Sequence, residues 1–188
     1  MVEDVEMGRL LVTGYGSFGE FDANPSDAMV ESMRSWPELA GARFEVLEVS
    51  YAAVDEFLAD LEESSFDTWL MMGVNGRGDS IQLETVGRNR CHGVADVRGV
   101  VAGPGVIDPG LPPMIAGSWF DESMVGERVV TSVEAGLFLC NYLYFRALAK
   151  FEGKRIGFLH VLPFDRMGVE DQLAVVRRVL GGGVSAPG

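Results

Sequence analysis

Arg9-Leu10-Leu11-Val12-Thr13-Gly14, followed ten residues on by Asn24-Pro25-Ser26-Asp27, decides the fold. The first is a short, continuous apolar run ending in glycine, the pattern of a strand buried on both faces. The second starts a helix. Asn24 can cap it, and Pro25 stands at the first helical position, where its missing N–H costs nothing. That helix runs through Met29, Val30 and Met33 towards Trp36. The alternation repeats outward. Residues 44–49 read as a strand, and 52–61 have helical spacing with Val54, Phe57, Leu58 and Leu61 on one face. Trp69-Leu70-Met71-Met72-Gly73 is again a buried strand ending at glycine, and residues 81–86 alternate as a strand. The glycine-rich stretch 93–112 reads as loop with short extended pieces. Residues 128–132 form a strand leading into a helix that should end near Lys150; 155–161 are a strand and 169–180 the last helix. Strands alternating with helices predict an α/β fold: a single-domain three-layer α/β/α sandwich around a mostly parallel or mixed twisted sheet. Its expected limits are an acidic lead at 1–8, one domain at 9–181 and a flexible tail at 182–188.

Composition narrows the function. The chain has 188 residues, 47% hydrophobic and 23% charged, which suits a soluble globular domain with a substantial core. A formal net charge of -13 repels a phosphate backbone, and no basic patch offsets it, so nucleic acid is not an expected partner. The start, Met1-Val2-Glu3-Asp4-Val5-Glu6, is acidic where a secretory signal would be basic, and no apolar run reaches membrane-spanning length. Two cysteines make no disulfide framework, which favours a reducing, cytoplasmic setting.

Three chemically active side chains stand on separate elements. Glu134-Ala135-Gly136-Leu137-Phe138-Leu139-Cys140-Asn141 places Cys140 where a small-residue break opens a helix. A thiol in the first turns of a helix faces the positive end of the backbone dipole, which favours the nucleophilic thiolate. His160 ends the apolar run from Ile156, and Glu84 sits in the alternating stretch Ile81-Gln82-Leu83-Glu84-Thr85-Val86. Alternation sets Gln82, Glu84 and Val86 on one face and Ile81, Leu83 and Thr85 on the other. A carboxylate inside a covered sheet needs a partner, and a histidine or arginine would supply it. Cysteine, histidine and acid together are the parts of a cysteine hydrolase. The bland alternatives are a space-filling cysteine and a satisfied core histidine. Cys91, in Arg88-Asn89-Arg90-Cys91-His92, lies in a polar, looped stretch without a helix start and receives no catalytic role; His92 reads as an exposed loop residue.

In open α/β sheets reactive groups gather outside the carboxyl ends of the strands, where the turns after Gly14 and Gly73 and His160 all fall. Two glycine-rich pieces are not nucleotide loops. Gly73-Val74-Asn75-Gly76-Arg77-Gly78 lacks the Gly-Lys-Ser/Thr ending and leads into a strand, and Gly14-Tyr15-Gly16-Ser17-Phe18-Gly19 lacks a third glycine at the required spacing.

Four segments in order resemble the pyroglutamyl peptidase I family, the pyrrolidone-carboxylate peptidases. They are Val12-Thr13-Gly14-Tyr15-Gly16-Ser17-Phe18-Gly19 with Asn24-Pro25-Ser26; Leu83-Glu84-Thr85-Val86-Gly87-Arg88-Asn89; Ala135-Gly136-Leu137-Phe138-Leu139-Cys140-Asn141; and Phe158-Leu159-His160-Val161. The resemblance implies a cysteine peptidase that removes N-terminal pyroglutamate, with Cys140 as nucleophile, His160 as general base and then acid, and Glu84 orienting the imidazole. It implies an aromatic pocket of Tyr15, Phe18 and Phe138 for the lactam ring. Backbone groups around Val74 and Asn75 would serve the ring's N–H and C=O. It also implies that no metal or organic cofactor is needed, that the partners are pyroglutamylated peptides, and that the protein is a homo-oligomer, dimer or tetramer. The sequence departs from the family at Ser17, where proline is usual, at Asp27, where an aromatic often stands, and at Pro163, one step later than usual. The stretch 95–105 lacks the bacterial Ile-Pro-Asp-Asn signature, although Asp96 matches an acid of animal-type members. Tyr15 in place of phenylalanine adds a hydroxyl to the ring pocket. These departures leave two alternatives to weigh: a thiol amidase on another small cyclic or acylated amine, and a catalytically weak relative that binds pyroglutamyl peptides.

Overall fold

The computed structural model describes residues 9–19, 23–103 and 105–181. The acidic lead at 1–8 and the tail at 182–188 lie outside the described residues. Six strands form the main sheet: β1 (Leu10–Tyr15), β2 (Arg43–Leu47), β3 (Thr68–Val74), β4 (Ile81–Glu84), β7 (Val129–Ser132) and β8 (Arg155–Val161). Their order is β2-β1-β3-β8-β4-β7. Strands β2, β1, β3 and β8 are parallel; β4 runs antiparallel to β8 and parallel to β7, so the sheet is mixed. Four helices cover it: α1 (Pro25–Met33), α2 (Tyr51–Asp60), α3 (Leu139–Lys150) and α4 (Val169–Leu180).

The alternation of side chains divides the core in two. Leu10, Val12, Leu70, Met72, Leu159 and Val161 meet α1 and α4 on one face of the sheet. Leu11, Tyr15, Trp69, Met71, Ile156 and Phe158 meet α2 and α3 on the other. The result is the expected three-layer sandwich. Helix α1 begins as its sequence dictates, with the Asn24 side chain accepting from the Ser26 amide and Pro25 opening the first turn.

The run 81–86 is not one strand. The main sheet keeps it only to Glu84; the chain then turns at Thr85 into β5 (Val86–Arg88), which pairs antiparallel with β6 (Met114–Ala116) in a separate two-stranded sheet under α3. Val86 therefore leaves the face shared by Gln82 and Glu84. Cys91 also differs from expectation: it is buried, and its segment pairs with Gly105 across the 93–112 loop.

Candidate active site

Period-two alternation brings the reactive groups to one face of the sheet. Ile156 and Phe158 point towards α3, so His160, two residues further on, points there as well. Glu84 lies opposite Phe158 in the antiparallel β4–β8 pairing, and its carboxylate reaches up to His160, Oε1 to Nδ1 2.8 Å. Glu84 is fully buried, and its Oε2 has no hydrogen-bond partner among the described residues. One hydrogen bond is thin compensation for a buried carboxylate, so the positive imidazole is its main counterpart. Burial by itself lowers the pKa of the His160 imidazole; hydrogen bonds to Cys140 and Glu84 outweigh that and push it up to about 9. With Nδ1 turned to Glu84, Nε2 is the nitrogen left for the Cys140 thiol.

Cys140 is the second residue of α3, half-buried at the end of the helix that faces the sheet's carboxyl edge. The chain enters through Gly136, whose φ of 77° favours glycine, and the Leu137 carbonyl accepts from the His92 amide. Across from the thiol is Gly73 on β3, beside His160 in register. A Cβ at Gly73 would come within 2.7 Å of Sγ, so only glycine leaves the thiol its place. No side chain caps α3. Among the described residues the amides of Leu139, Cys140 and Asn141 donate to no protein acceptor, which leaves N–H groups free beside Sγ.

Next to the thiol a cavity of about 170 Å³ opens, lined by Tyr15, Phe18, Asn24, Val49, Val74, Phe138, Leu139 and Cys140. Phe18 and Phe138 stack with ring centroids 5.4 Å apart, and Tyr51 closes edge-on behind Phe138 at 5.9 Å. The structure thus gathers Cys140, His160 and Glu84 in one cluster and Tyr15, Phe18, Phe138 and Val74 around one cavity. Two expectations change. The Tyr15 hydroxyl does not enter the ring pocket; it donates to the Leu139 carbonyl at 2.9 Å. The Asn75 amide is engaged with the Val161 carbonyl, and its side chain bonds Gln82 and the amides of Arg77 and Gly78, so Asn75 braces the loop after β3. Asn24 is likewise engaged, through Gly16 and Ser26.

Sequence reasoning did not single out Gly73 as the thiol's platform, nor Asn141 and Tyr144 behind it. A polar Asn141 inside the otherwise apolar and aromatic run from Leu137 to Phe145 was the available signal, since buried polar side chains are held by specific partners. Cys91 and His92 take no part: burial pushes the Cys91 thiol up, and His92 is exposed. Among the described residues no group of three or more His, Cys, Asp or Glu gathers to hold a metal ion, and no helix is long and apolar enough to cross a membrane.

Comparison with known proteins places the chain by family and fold. The chain is 28% identical to human pyroglutamyl-peptidase 1 over 91% of its own length and 87% of that protein's. It is 27% identical to a pyrrolidone-carboxylate peptidase of Vibrio vulnificus over 82% of this chain and 78% of that protein. The crystal structure of pyrrolidone carboxyl peptidase from Thermus thermophilus superposes with a TM-score of 0.80 at 26% identity, covering 92% of this chain and 97% of that one. Pyroglutamyl peptidase I from Bacillus amyloliquefaciens, at 19% identity and a TM-score of 0.80 over 94% of this chain and 96% of that one, shares the fold. The Pyroglutamyl peptidase family model matches residues 8–174, and the chain belongs to that family.

Proposed function

We propose that the protein hydrolyses the amide bond after an N-terminal pyroglutamyl residue, by an acyl-enzyme route through Cys140, His160 and Glu84. The observation that carries this reading is the His160–Glu84 pair beside a thiol at the mouth of an aromatic cavity. A pyroglutamyl ring is small and mostly apolar, and suits a cavity walled by Phe18, Phe138 and Tyr15. With the Tyr15 hydroxyl and the Asn24 amide engaged elsewhere, main-chain groups near Val74 are left to meet the lactam N–H and C=O.

In the first step the Cys140 proton passes to Nε2 of His160, Sγ bonds to the carbonyl carbon that follows the ring, and the carbonyl electrons move onto oxygen. The free amides at the start of α3 stabilise that oxyanion; losing one such donor typically costs about 10²–10³ in rate. As the C–N bond breaks, His160 gives its Nε2 proton to the leaving amine. Neutral again, it takes a proton from water, which attacks the thioester and releases pyroglutamate and the thiol. Glu84 holds the imidazole at Nδ1 throughout and balances its positive charge. The unit that performs this spans residues 9–181. Two free cysteines and an acidic surface suit a cytoplasmic enzyme, active as a dimer or tetramer.

The test is release of a fluorophore from a pyroglutamyl amide, with Cys140→Ser as control and a prolyl amide as decoy. Turnover that disappears in the variant and spares the prolyl compound is the expected result. Fast alkylation of Cys140 without turnover would keep a thiol hydrolase and discard the substrate.

A further inference from the structure

We propose that Asn141 and Tyr144 are positioning residues that lock the segment carrying Glu84 to the helix carrying Cys140, so that acid and nucleophile hold one fixed spacing across His160. The inference rests on the catalytic roles proposed above and extends them to side chains that touch neither substrate nor thiol.

Two side chains of helix α3 hydrogen-bond the 84–90 segment. Asn141, fully buried, accepts from the Arg88 amide at 2.8 Å and donates to the carbonyls of Arg88 and Arg90, both at 2.8 Å. Every polar atom of its carboxamide is used, and every partner is backbone. Three residues on, and so on the same side of the helix, the buried Tyr144 hydroxyl donates to the Glu84 carbonyl at 2.8 Å. Gly117 makes the room: a Cβ there would overlap the Tyr144 hydroxyl.

The location of this grip gives it meaning. Glu84 is the last residue of β4, and the chain leaves the main sheet directly after it for β5. A strand end that departs from its sheet is where pairing is weakest, yet it carries the acid. The turn is pinned on one side by β7, through the Thr85 amide on Ser132, and on the other by Tyr144 and Asn141. The same first turn of α3 carries Cys140 and the free amides. A shift of this segment relative to α3 would therefore move Glu84 away from the imidazole and change the imidazole's reach to sulfur. Misplacement of about 1 Å from a change remote from the reacting atoms can cost about 10²-fold in rate.

The experiment uses Tyr144→Phe and Asn141→Asp in the full chain. The first removes one oxygen; the second keeps an acceptor for the Arg88 amide and replaces two donated bonds by repulsion. Thr13→Val is the comparison, because it removes an equally buried bond, Trp69 Nε1 to Thr13 Oγ1, from the same sheet face. Two quantities are read: kcat and KM on a pyroglutamyl amide, and the NMR titration of His160, which stands against one other histidine in the whole chain, the exposed His92. The expected result is kcat lowered about 10–100-fold with KM within about twofold. In Tyr144→Phe, which adds no charge, the His160 midpoint should also fall from about 9 towards its ordinary value, while Thr13→Val changes neither. Unchanged kcat and midpoint in a Tyr144→Phe protein that only melts earlier would overturn the proposal, whatever the folding of Asn141→Asp. Because the imidazole titrates without substrate, a parent enzyme inactive on pyroglutamyl amides would sink the proposed substrate and still leave this proposal open to its own test.

Discussion

His160 concentrates several opposing effects in one ring. Its exposure is 6%, which disfavours charge, yet its two partners favour charge more strongly. Its pKa is about 9 in the folded chain against an ordinary 6.5, so folding favours the protonated form. The stability that this contributes is fully present below about pH 6.5 and is lost as pH rises through about 9. The melting temperature should therefore fall between about pH 6 and about pH 9.5 by more in the parent than in His160→Gln. Parallel pH curves for the two proteins would show that the ring gains no charge on folding. At this scale the sequence was informative about identity and silent about direction. Cys140, His160 and Glu84 stood out through a helix start, a strand end and a carboxylate in an alternating run. That the Tyr15 hydroxyl turns to Leu139 and the Asn75 amide to Val161 depends on neighbours 124 and 86 positions away, which no local pattern encodes.

Elements were legible where their ends carry chemistry. Helix α1 opens at Asn24-Pro25 and α4 spans Val169–Leu180, both as the sequence indicates, because caps, prolines and periodicity act locally. Strands β5 and β6 were not legible. Each has three residues, and each exists because it has the other to pair with and α3 above it, Gly87 lying against the backbone of Phe145. The break at Thr85 follows from the same packing. Helix α1 offers a test at this level. The Asn24 side chain caps its first turn, holds the Gly16 carbonyl and lines the cavity. Asn24→Ala should cost about 1 kcal/mol of stability from the lost cap. It should also raise KM for the pyroglutamyl amide, because the segment after β1 that carries Phe18 loses one of its ties, the bond to the Gly16 carbonyl. Asn24→Ser, which can restore the cap and cannot reach Gly16 in the same way, should recover stability more than KM. Recovery of both together would mean that the cap alone shapes the pocket.

At the level of the whole molecule, a sheet covered on both faces was predictable from strands and helices taking turns along the chain. The strand order and the reversal of β4 were not, because direction is set by which edge each strand finds. That reversal has a consequence for proton traffic. Strand β4 descends while β8 climbs, so Glu84 stands level with Phe158, two residues beneath His160 in the sheet. The acid approaches the ring from the interior, near Phe158 and Tyr144; Glu84 is fully buried and His160 6% exposed, and Cys140 is the half-buried member of the three. A hydrogen between Nδ1 and the carboxylate therefore lies on the buried side of the ring. Such a hydrogen should persist as a far-downfield resonance that exchanges slowly with water. In Tyr144→Phe it should broaden as Glu84 loses its tie to α3; rapid exchange in the parent would mean that water already reaches the floor of the site.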